Sequence, residues 1–102
     1  MKQSQAANCP TAALKMLGDF WTLSIIETLY NGEKRFCQIE RELPDINPVT
    51  LTNRLKKLEH EKIIKRQKET VDKLSVTYSL TDKGNAIMPI IQAIATFSST
   101  HL

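Results

Sequence analysis

Residues 47–68 read NPVTLTNRLKKLEHEKIIKRQK, and this stretch decides the fold. Asn47 can cap a helix, and Pro48 suits the first helical position because the N–H that proline lacks has no partner there in any helix. Three leucines follow at the spacing of one helical face, at Leu51, Leu55 and Leu58. The stretch therefore predicts an amphipathic helix whose leucine side packs against a core.

The opposite face of this helix is small, polar and basic. At about 100° per residue, six residues point away from the leucines or flank that direction: Val49, Thr50, Thr52, Asn53, Lys56 and Lys57. The major groove of DNA accepts a helix with such a face. The competing interpretation is an ordinary surface helix with a solvated polar side.

Positive charge is concentrated in the same stretch. Residues 47–68 carry seven basic and two acidic side chains, a net charge of +5, whereas residues 1–46 and residues 69–102 each carry a net charge of −1. A uniformly solvated surface would spread this charge, so its concentration indicates a polyanionic partner on one side of the protein. Double-stranded DNA is the partner that we expect.

The composition of the chain is that of a small globular protein. With 102 residues, 41% of them hydrophobic and 25% charged, it has room for one core. We expect a flexible N-terminus over residues 1–8 and a single domain over residues 9–102. The sequence shows no secretory signal, no apolar run of membrane length and no zinc-type cysteine pattern. We therefore expect a cytoplasmic, nucleoid-associated protein that uses no metal or other cofactor and binds no membrane.

Three short helices are predicted before the turn at residues 43–47, which reads LPDIN and favours a tight connection. They cover about residues 9–17, 19–30 and 36–43, and the glycines at positions 18 and 32 end the first two. The third helix, the turn and the basic helix that follows form a helix-turn-helix.

After Glu61 the apolar periodicity changes from that of a helix to that of a strand. Residues 63–68 and 74–80 are predicted as two strands, joined by a hairpin loop at residues 69–73. In the second strand apolar and polar residues alternate, which predicts that one face is buried. A basic hairpin directly after a helix-turn-helix predicts a winged helix-turn-helix, an α+β fold that is mainly helical with one small β-hairpin.

A last helix is predicted over residues 82–100, with Pro89 bending it or restricting it near its start. Its wide apolar stripe offers more surface than the small core can absorb, and the first helix is similar. We therefore expect a twofold homodimer through the first and last helices. The alternative is that the last helix folds back onto its own domain.

An ordered set of short motifs runs through nearly the whole chain, from residue 9 to about residue 97. The set comprises Cys9-Pro10, Gly18, Trp21-Thr22-Leu23, Gly32, Arg35-Phe36, Glu42-Leu43-Pro44, Leu51-Thr52, Arg54-Leu55-Lys56, Leu58-Glu59, Arg66, Tyr78-Ser79-Leu80-Thr81 and Gly84. On these residues the chain resembles the HxlR-type winged helix-turn-helix transcriptional regulators, within the MarR-like superfamily. It departs from their pattern at Phe20 and Phe97, and at Lys62, where the family usually ends the recognition helix with glycine. We therefore expect this helix end to lack its usual cap.

The resemblance implies a transcriptional regulator that binds an inverted-repeat operator as a homodimer. We expect it to be a repressor. The helix from Asn47 would enter the major groove, where Val49, Thr50 and Asn53 would contact base edges. The wing at residues 65–75 would reach the neighbouring minor groove or the DNA backbone. The other DNA-binding residues expected, mostly as phosphate contacts, are Arg35, Asn47, Thr52, Arg54, Lys56, Lys57, Arg66, Lys68 and Lys73.

Cys9 immediately precedes Pro10, at or next to the start of the first helix. Unpaired N–H groups and the helix dipole at such a position favour a thiolate and raise its reactivity. Some relatives that this chain resembles use the cysteine at this position to sense oxidants or electrophiles, so one hypothesis is an oxidant or small-molecule inducer acting through Cys9. The alternative is a small structural residue. For Cys37, at the start of the third helix, we expect local packing.

Two other classes of function fit the residues less well than DNA binding. His60 and His101 have no placed acid, nucleophile or metal-ligand partner in the sequence pattern, and no glycine-rich phosphate loop occurs, so we expect no enzyme activity. The serious alternative is a winged helix that contacts another protein and does not bind specific DNA. Such domains tend to lose basic charge on the outer helix, which the net charge of +5 over residues 47–68 opposes.

Overall fold

The fold is described by a computed structural model over residues 10–68 and 76–102. Six helices and three strands follow one another in these ranges: α1 (Pro10–Leu17), α2 (Phe20–Tyr30), β1 (Lys34–Arg35), α3 (Phe36–Glu42), α4 (Pro48–His60), β2 (Ile64–Lys68), β3 (Val76–Leu80), α5 (Asp82–Asn85) and α6 (Met88–His101). The predicted α+β winged helix-turn-helix is confirmed, with α3 and α4 as its two helices and β2 and β3 as the strands of its wing. The segment predicted to be flexible, residues 1–8, lies outside the described ranges, as does Cys9.

Gly18 separates α1 from α2 at a position where a larger residue does not fit. The Gly18 N–H donates to the carbonyl oxygen of Leu14 at 2.7 Å, and a Cβ at Gly18 would lie 2.5 Å from the same oxygen. Asp19 then caps α2, because its carboxylate accepts from the N–H of Thr22 at 3.0 Å. The predicted glycine stop is confirmed, and α2 begins one residue after the predicted position.

The turn between α3 and α4 is held by local contacts. The side-chain oxygen of Asn47 accepts from the N–H of Val49 at 2.7 Å, and Pro48 occupies the first turn of α4. Ile46, within the turn, is buried and belongs to the hydrophobic core. The cap and the proline predicted for this helix are therefore confirmed, and the buried Ile46 side chain attaches the turn to the core.

The end of α4 contradicts the expectation drawn from Lys62. The Lys62 N–H donates to the carbonyl oxygen of Glu59 at 3.0 Å and the Ile63 N–H to that of Leu58 at 2.9 Å, which are the paired bonds of a Schellman cap. Lys62 adopts a φ of 63°, the left-handed conformation that glycine usually supplies. The cap therefore forms with lysine in the strained position, and β2 begins at Ile64, one residue later than predicted.

The hairpin belongs to a three-stranded antiparallel sheet in the order β1-β3-β2. The strand β1 was not predicted, since two residues carry no periodicity. Tyr78 and Leu80, on the face predicted to be buried, pack against the core, but the opposite face is half-buried as well and not exposed. The reason is that β3 is the central strand, and the side chains of both neighbouring strands shelter it.

The predicted last helix is divided into two. Thr81 caps α5 by accepting from the N–H of Gly84 at 3.2 Å, and α5 ends after four residues. Pro89 occupies the first turn of α6, so the proline predicted to bend or restrict a single helix instead lies where the second of two helices begins. A Cβ at Gly84 would lie 2.3 Å from the carbonyl oxygen of Ile63, so α5 packs directly against the backbone that precedes β2.

One hydrophobic cluster connects the helices with the sheet. Its most deeply buried apolar side chains are Ile25, Ile26, Ile39, Leu51, Leu58, Ile63 and Ile64. Trp21, Phe36 and Tyr78 pack against this cluster and are partly buried. Because all three leucines of α4 are buried, the core determines which side of α4 faces outward.

Helices α1 and α6, together with Phe20 at the start of α2, leave large apolar side chains outside this core. We call the exposed set the terminal apolar face: Leu14, Phe20, Ile90, Ile94 and Phe97. An apolar groove of 320 Å³ lies between the two helices, with Leu14, Ile90 and Ile94 in its walls. The first turn of α6 packs onto the domain through the buried residues Met88 and Ile91.

Candidate nucleic-acid interface

The outer face of α4 is mostly exposed. Four of its residues are exposed, at Val49, Asn53, Lys56 and Lys57, and the Val49 side chain is 66% exposed. Thr50 and Thr52 flank them and are half-buried. The structure therefore exposes four of the six residues of the predicted outer face and places the two threonines at its edges.

Asn47 has a structural role in addition to its predicted DNA contact. Its side-chain oxygen is the acceptor that caps α4, at 2.7 Å from the N–H of Val49. The residue is exposed, so its side-chain NH2 group remains a donor on the surface. Asn47 can therefore contact a phosphate oxygen, but its oxygen is already used.

Arg54 differs from the other basic residues predicted to contact phosphate. Its Nε donates to Oδ2 of Asp19 at 2.7 Å and its Nη2 donates to Oδ1 at 3.2 Å, which makes a two-point ion pair. On α4 it lies beside the leucine stripe, about 60° from Leu51 around the helix axis, so its nearest partner is the protein. This contact within the protein competes with the phosphate contact predicted for Arg54.

The ion pair changes the acid–base properties of Asp19. The hydrogen bond from Arg54 holds the pKa of the Asp19 carboxyl well below its ordinary value, against the raising effect of partial burial. The hydroxyl of Thr22, at 2.8 Å, and the Thr22 N–H lower it further. Asp19 is thus a carboxylate at neutral pH, and its charge offsets the charge of Arg54.

A groove between α4 and the sheet brings together basic residues from both elements. It has a volume of 310 Å³ and is lined by Phe36, Thr52, Leu55, Lys56, Glu59, Arg66 and Tyr78. We call it the basic groove, because Lys56 and Arg66 contribute two cations against the one anion of Glu59. The outer face of α4 is therefore continuous with the first part of the wing.

The pairing of the strands decides which basic residues share a face of the sheet. Directly opposite residues share a face, and neighbours along a strand alternate. Lys68 lies two residues after Arg66 in β2 and so shares the side of the basic groove. Arg35 lies opposite Thr77 on the other face, so the structure separates it from both. Lys73, the remaining predicted contact of the wing, lies outside the described residues.

Two residues near α3 differ from the sequence expectations. Lys34 lies opposite Tyr78, on the side of the basic groove, and forms an ion pair with Glu42 at 3.5 Å. Sequence reasoning missed it because β1 gives no periodic signal. Cys37 is exposed, so the local packing expected for this thiol is wrong.

Within residues 10–68 and 76–102, no three His, Cys, Asp or Glu side chains lie together as a metal site would require. No helix in those ranges combines the length and the apolar character needed to cross a membrane.

Comparison with known proteins decides the family. The sequence model described as HxlR-like helix-turn-helix matches residues 16–102, which is most of the chain. The chain belongs to the HxlR-like helix-turn-helix family. It is accordingly a DNA-binding transcriptional regulator, and the resemblance inferred from its motifs is confirmed.

Relatives in sequence and in structure support the same assignment. The HTH-type transcriptional regulator YodB of Bacillus subtilis (strain 168) is 38% identical over 86 residues, which cover 82% of this chain and 77% of YodB. YvaP of the same organism, an uncharacterized HTH-type transcriptional regulator, is 37% identical over 98 residues, covering 94% of this chain and 91% of YvaP. The solved structure of the reduced form of YodB has a TM-score of 0.82 at 35% identity, with 91% of this chain and 93% of that chain covered. The redox regulator HypR in its reduced form has a TM-score of 0.82 at 28% identity, with 88% and 89% covered.

Proposed function

We propose that the chain represses transcription as a homodimer that binds an inverted-repeat operator, with α4 of each protomer in a major groove. The observation that carries this proposal is the outer face of α4, which is polar, basic and exposed while the leucines behind it are buried. A helix so placed can reach base edges without displacing any core residue. Since the partner is chromosomal DNA, the proposal includes a cytoplasmic, nucleoid-associated location and no catalytic role.

Three residues of α4 read bases in this proposal. The exposed amide of Asn53 can bond to both N6 and N7 of adenine, and exposed Val49 can contact the methyl group of thymine. Thr50, on the flank, can donate to or accept from a base edge. These three side chains are short. Their contribution to sequence preference therefore depends on how deeply α4 enters the groove and on its rotation about its own axis.

The basic residues around α4 hold the DNA backbone and carry little sequence information. Lys56, Arg66 and Lys68 form one continuous surface beside the basic groove, which suits the backbone between a major groove and the next minor groove. The wider set proposed for phosphate contact adds Arg35, Asn47, Thr52, Lys57 and Lys73. Arg54 is left out because its guanidinium is bound to Asp19.

The homodimer is proposed to form through the terminal apolar face. Covering large apolar side chains that are exposed on neighbouring helices with a second copy is favourable in free energy. Ile94 and Phe97, 51% and 57% exposed, lie beyond the part of α6 that folds back onto its own domain. Twofold symmetry would present two α4 helices to one side of the duplex.

Selection of bound duplexes from a random pool tests recognition, symmetry and spacing in one experiment. The expected product is a pair of inverted half-sites whose centres lie about 10 base pairs, one helical turn, apart or a multiple of it. Sedimentation at micromolar concentration should give a dimer. A pool without an enriched sequence, or a monomer that binds a single half-site, would contradict the proposal.

We further propose that an oxidant or electrophile releases the operator through Cys9. The support is the position of Cys9 directly before α1 and the likeness to two regulators, one solved in a reduced form and one described as a redox regulator. Operator binding is measured with and without diamide for the wild type, Cys9→Ser and Cys37→Ser. Release is expected in the wild type and in Cys37→Ser only. Because Cys37 is exposed, it is the matched control, and a response lost in Cys37→Ser but kept in Cys9→Ser would reverse the assignment.

A further inference from the structure

One carboxylate, that of Asp19, connects two helices, α2 and α4. It follows α1 directly, after Gly18, and it caps α2 by accepting from the N–H of Thr22 at 3.0 Å. It also accepts from Nε and Nη2 of Arg54 in α4, at 2.7 and 3.2 Å, across 35 residues of sequence. Both carboxylate oxygens are therefore used, and Arg54 is held at two points.

Because of where Arg54 lies on α4, its ion pair with Asp19 can limit the rotation of this helix about its own axis. The buried leucines attach one side of α4 to the core, and the Asn47 cap holds its first turn. Arg54 lies on the flank of the leucine stripe and is the immediate neighbour of Asn53 on the outer face. A fixed point on the flank opposes small rotations of α4 about its own axis, in addition to the resistance that the packed leucines provide.

We infer that Asp19 is a positioning residue for DNA reading, because it sets the orientation of α4 through Arg54. The inference rests on the proposed function, in which α4 reads bases. It assigns specificity to two residues that touch no DNA. The side chains of Asp19 and Arg54 are 31% and 33% exposed, so the pair is sheltered enough to keep a defined geometry.

Phosphate binding by Arg54 is the competing role, and it makes opposite predictions. A basic residue that binds a phosphate adds about 0.9 to the slope of log affinity against log salt concentration. Arg54 paired with Asp19 has its charge offset and contributes little to that slope. Salt dependence therefore distinguishes a positioning residue from a phosphate contact, which a loss of affinity alone does not.

The test uses two variants of the pair and one control. Arg54→Gln removes the ion pair and its positive charge. Asp19→Asn removes the pair but keeps a good helix cap, so α2 should still form. Lys56→Ala is the control, since it is an exposed residue on the outer face with a proposed phosphate contact. Each is measured on the duplex selected by the wild type and on a scrambled duplex of the same length, at several salt concentrations.

We expect Arg54→Gln to weaken binding of the selected duplex about tenfold, the size of one lost base contact, and to leave the scrambled duplex and the salt slope unchanged. Asp19→Asn should lower the ratio between the two duplexes similarly. It should also tighten scrambled binding and steepen the slope by about 0.9, because Arg54 is released. Lys56→Ala should weaken both duplexes alike and flatten the slope.

Two results would overturn the inference. One is an Arg54→Gln variant that weakens both duplexes equally with a flatter slope, as Lys56→Ala does, which makes Arg54 a phosphate contact. The other is an unchanged ratio in both variants of the pair. A wild type that selects no sequence would instead contradict the proposed function, so the two failures are distinguishable. Circular dichroism and thermal unfolding of each variant establish that it is folded at the assay temperature.

Discussion

Replacing Lys62 by glycine should stabilise the protein. Lys62 holds the left-handed position of the α4 cap with a φ of 63°, a conformation that costs an L-residue about 1–2 kcal/mol. Glycine removes this cost but adds about 0.4–1 kcal/mol of conformational freedom to the unfolded chain. The Lys62 side chain is exposed, so little packing is lost. The net expectation for Lys62→Gly is a gain of about 0.5–1 kcal/mol in the free energy of unfolding.

Thermal unfolding followed by circular dichroism measures this gain. For a chain of this length, a stabilisation of this size raises the midpoint by about 3–6 °C. All variants are compared at the same protein concentration, because self-association would also shift the midpoint. Urea unfolding gives the free energy directly, and an unchanged slope with denaturant shows that the folded state keeps its extent of burial.

Two control variants isolate the backbone effect. Lys62→Ala removes the same side chain but keeps the steric cost of the left-handed conformation, so its stability should stay within about 0.5 kcal/mol of the wild type. Lys65→Gly puts glycine at an exposed position of β2 with ordinary backbone geometry, and it should destabilise by about 0.5–1 kcal/mol. If Lys62→Gly proved no more stable than Lys62→Ala, the assignment of strain to Lys62 would be refuted.

Three further outcomes are expected. Asn53→Ala should reduce the preference for the selected duplex over a scrambled one by about 5–150-fold. Lys68→Ala should weaken binding of both duplexes alike and flatten the salt slope by about 0.9. If both variants weakened the two duplexes equally, Asn53 would not be a base-reading residue. Because the folded-state pKa of Asp19 lies below its unfolded value of 3.8, the stability that Asp19 contributes is present above that value and is lost as the pH falls below it. The difference in unfolding free energy between the wild type and Asp19→Asn, from urea titrations, should therefore shrink between about pH 5 and pH 2, and a constant difference would contradict the ion pair. Ile94→Lys, at an exposed position of α6, should weaken dimerisation at least about tenfold in sedimentation while leaving the secondary structure unchanged, and an unaffected dimer would place the interface elsewhere.

Short-range signals account for what the sequence determined by itself. The cap at Asn47, the proline after it and the three leucines lie within twelve residues of one another, and each acts through its immediate helical neighbours. The start of α4, its buried side and its outer face were therefore predictable, and so was the glycine stop at position 18. The family could be inferred from the same short motifs, and the function followed from the family together with the charge on α4.

The tertiary structure alone decided how the flanks of α4 are used. Arg54 and Lys56 are basic residues two positions apart on the same helix, yet one is bound to Asp19 and the other lines the basic groove. The difference depends on where a residue 35 positions earlier comes to lie, and no local pattern encodes that distance. The position of Arg54 around the helix was the one sequence signal for its ion pair, since a charged side chain at the edge of an apolar stripe can reach neighbouring elements of its own domain.

The sheet and the cap of α4 were decided in the same way. The strand β1 exists only because β3 has a free edge beside it, and this pairing places Arg35 and Arg66 on opposite faces. Lys62 accepts an unfavourable φ because Ile63 and Leu58, on either side of it, are buried in the core and determine the path of the chain. Local preference is worth about 1 kcal/mol at such a position, and the burial of two large apolar side chains outweighs it. The sequence thus determined the elements and the reading face, while packing determined which charged side chains remain available to DNA.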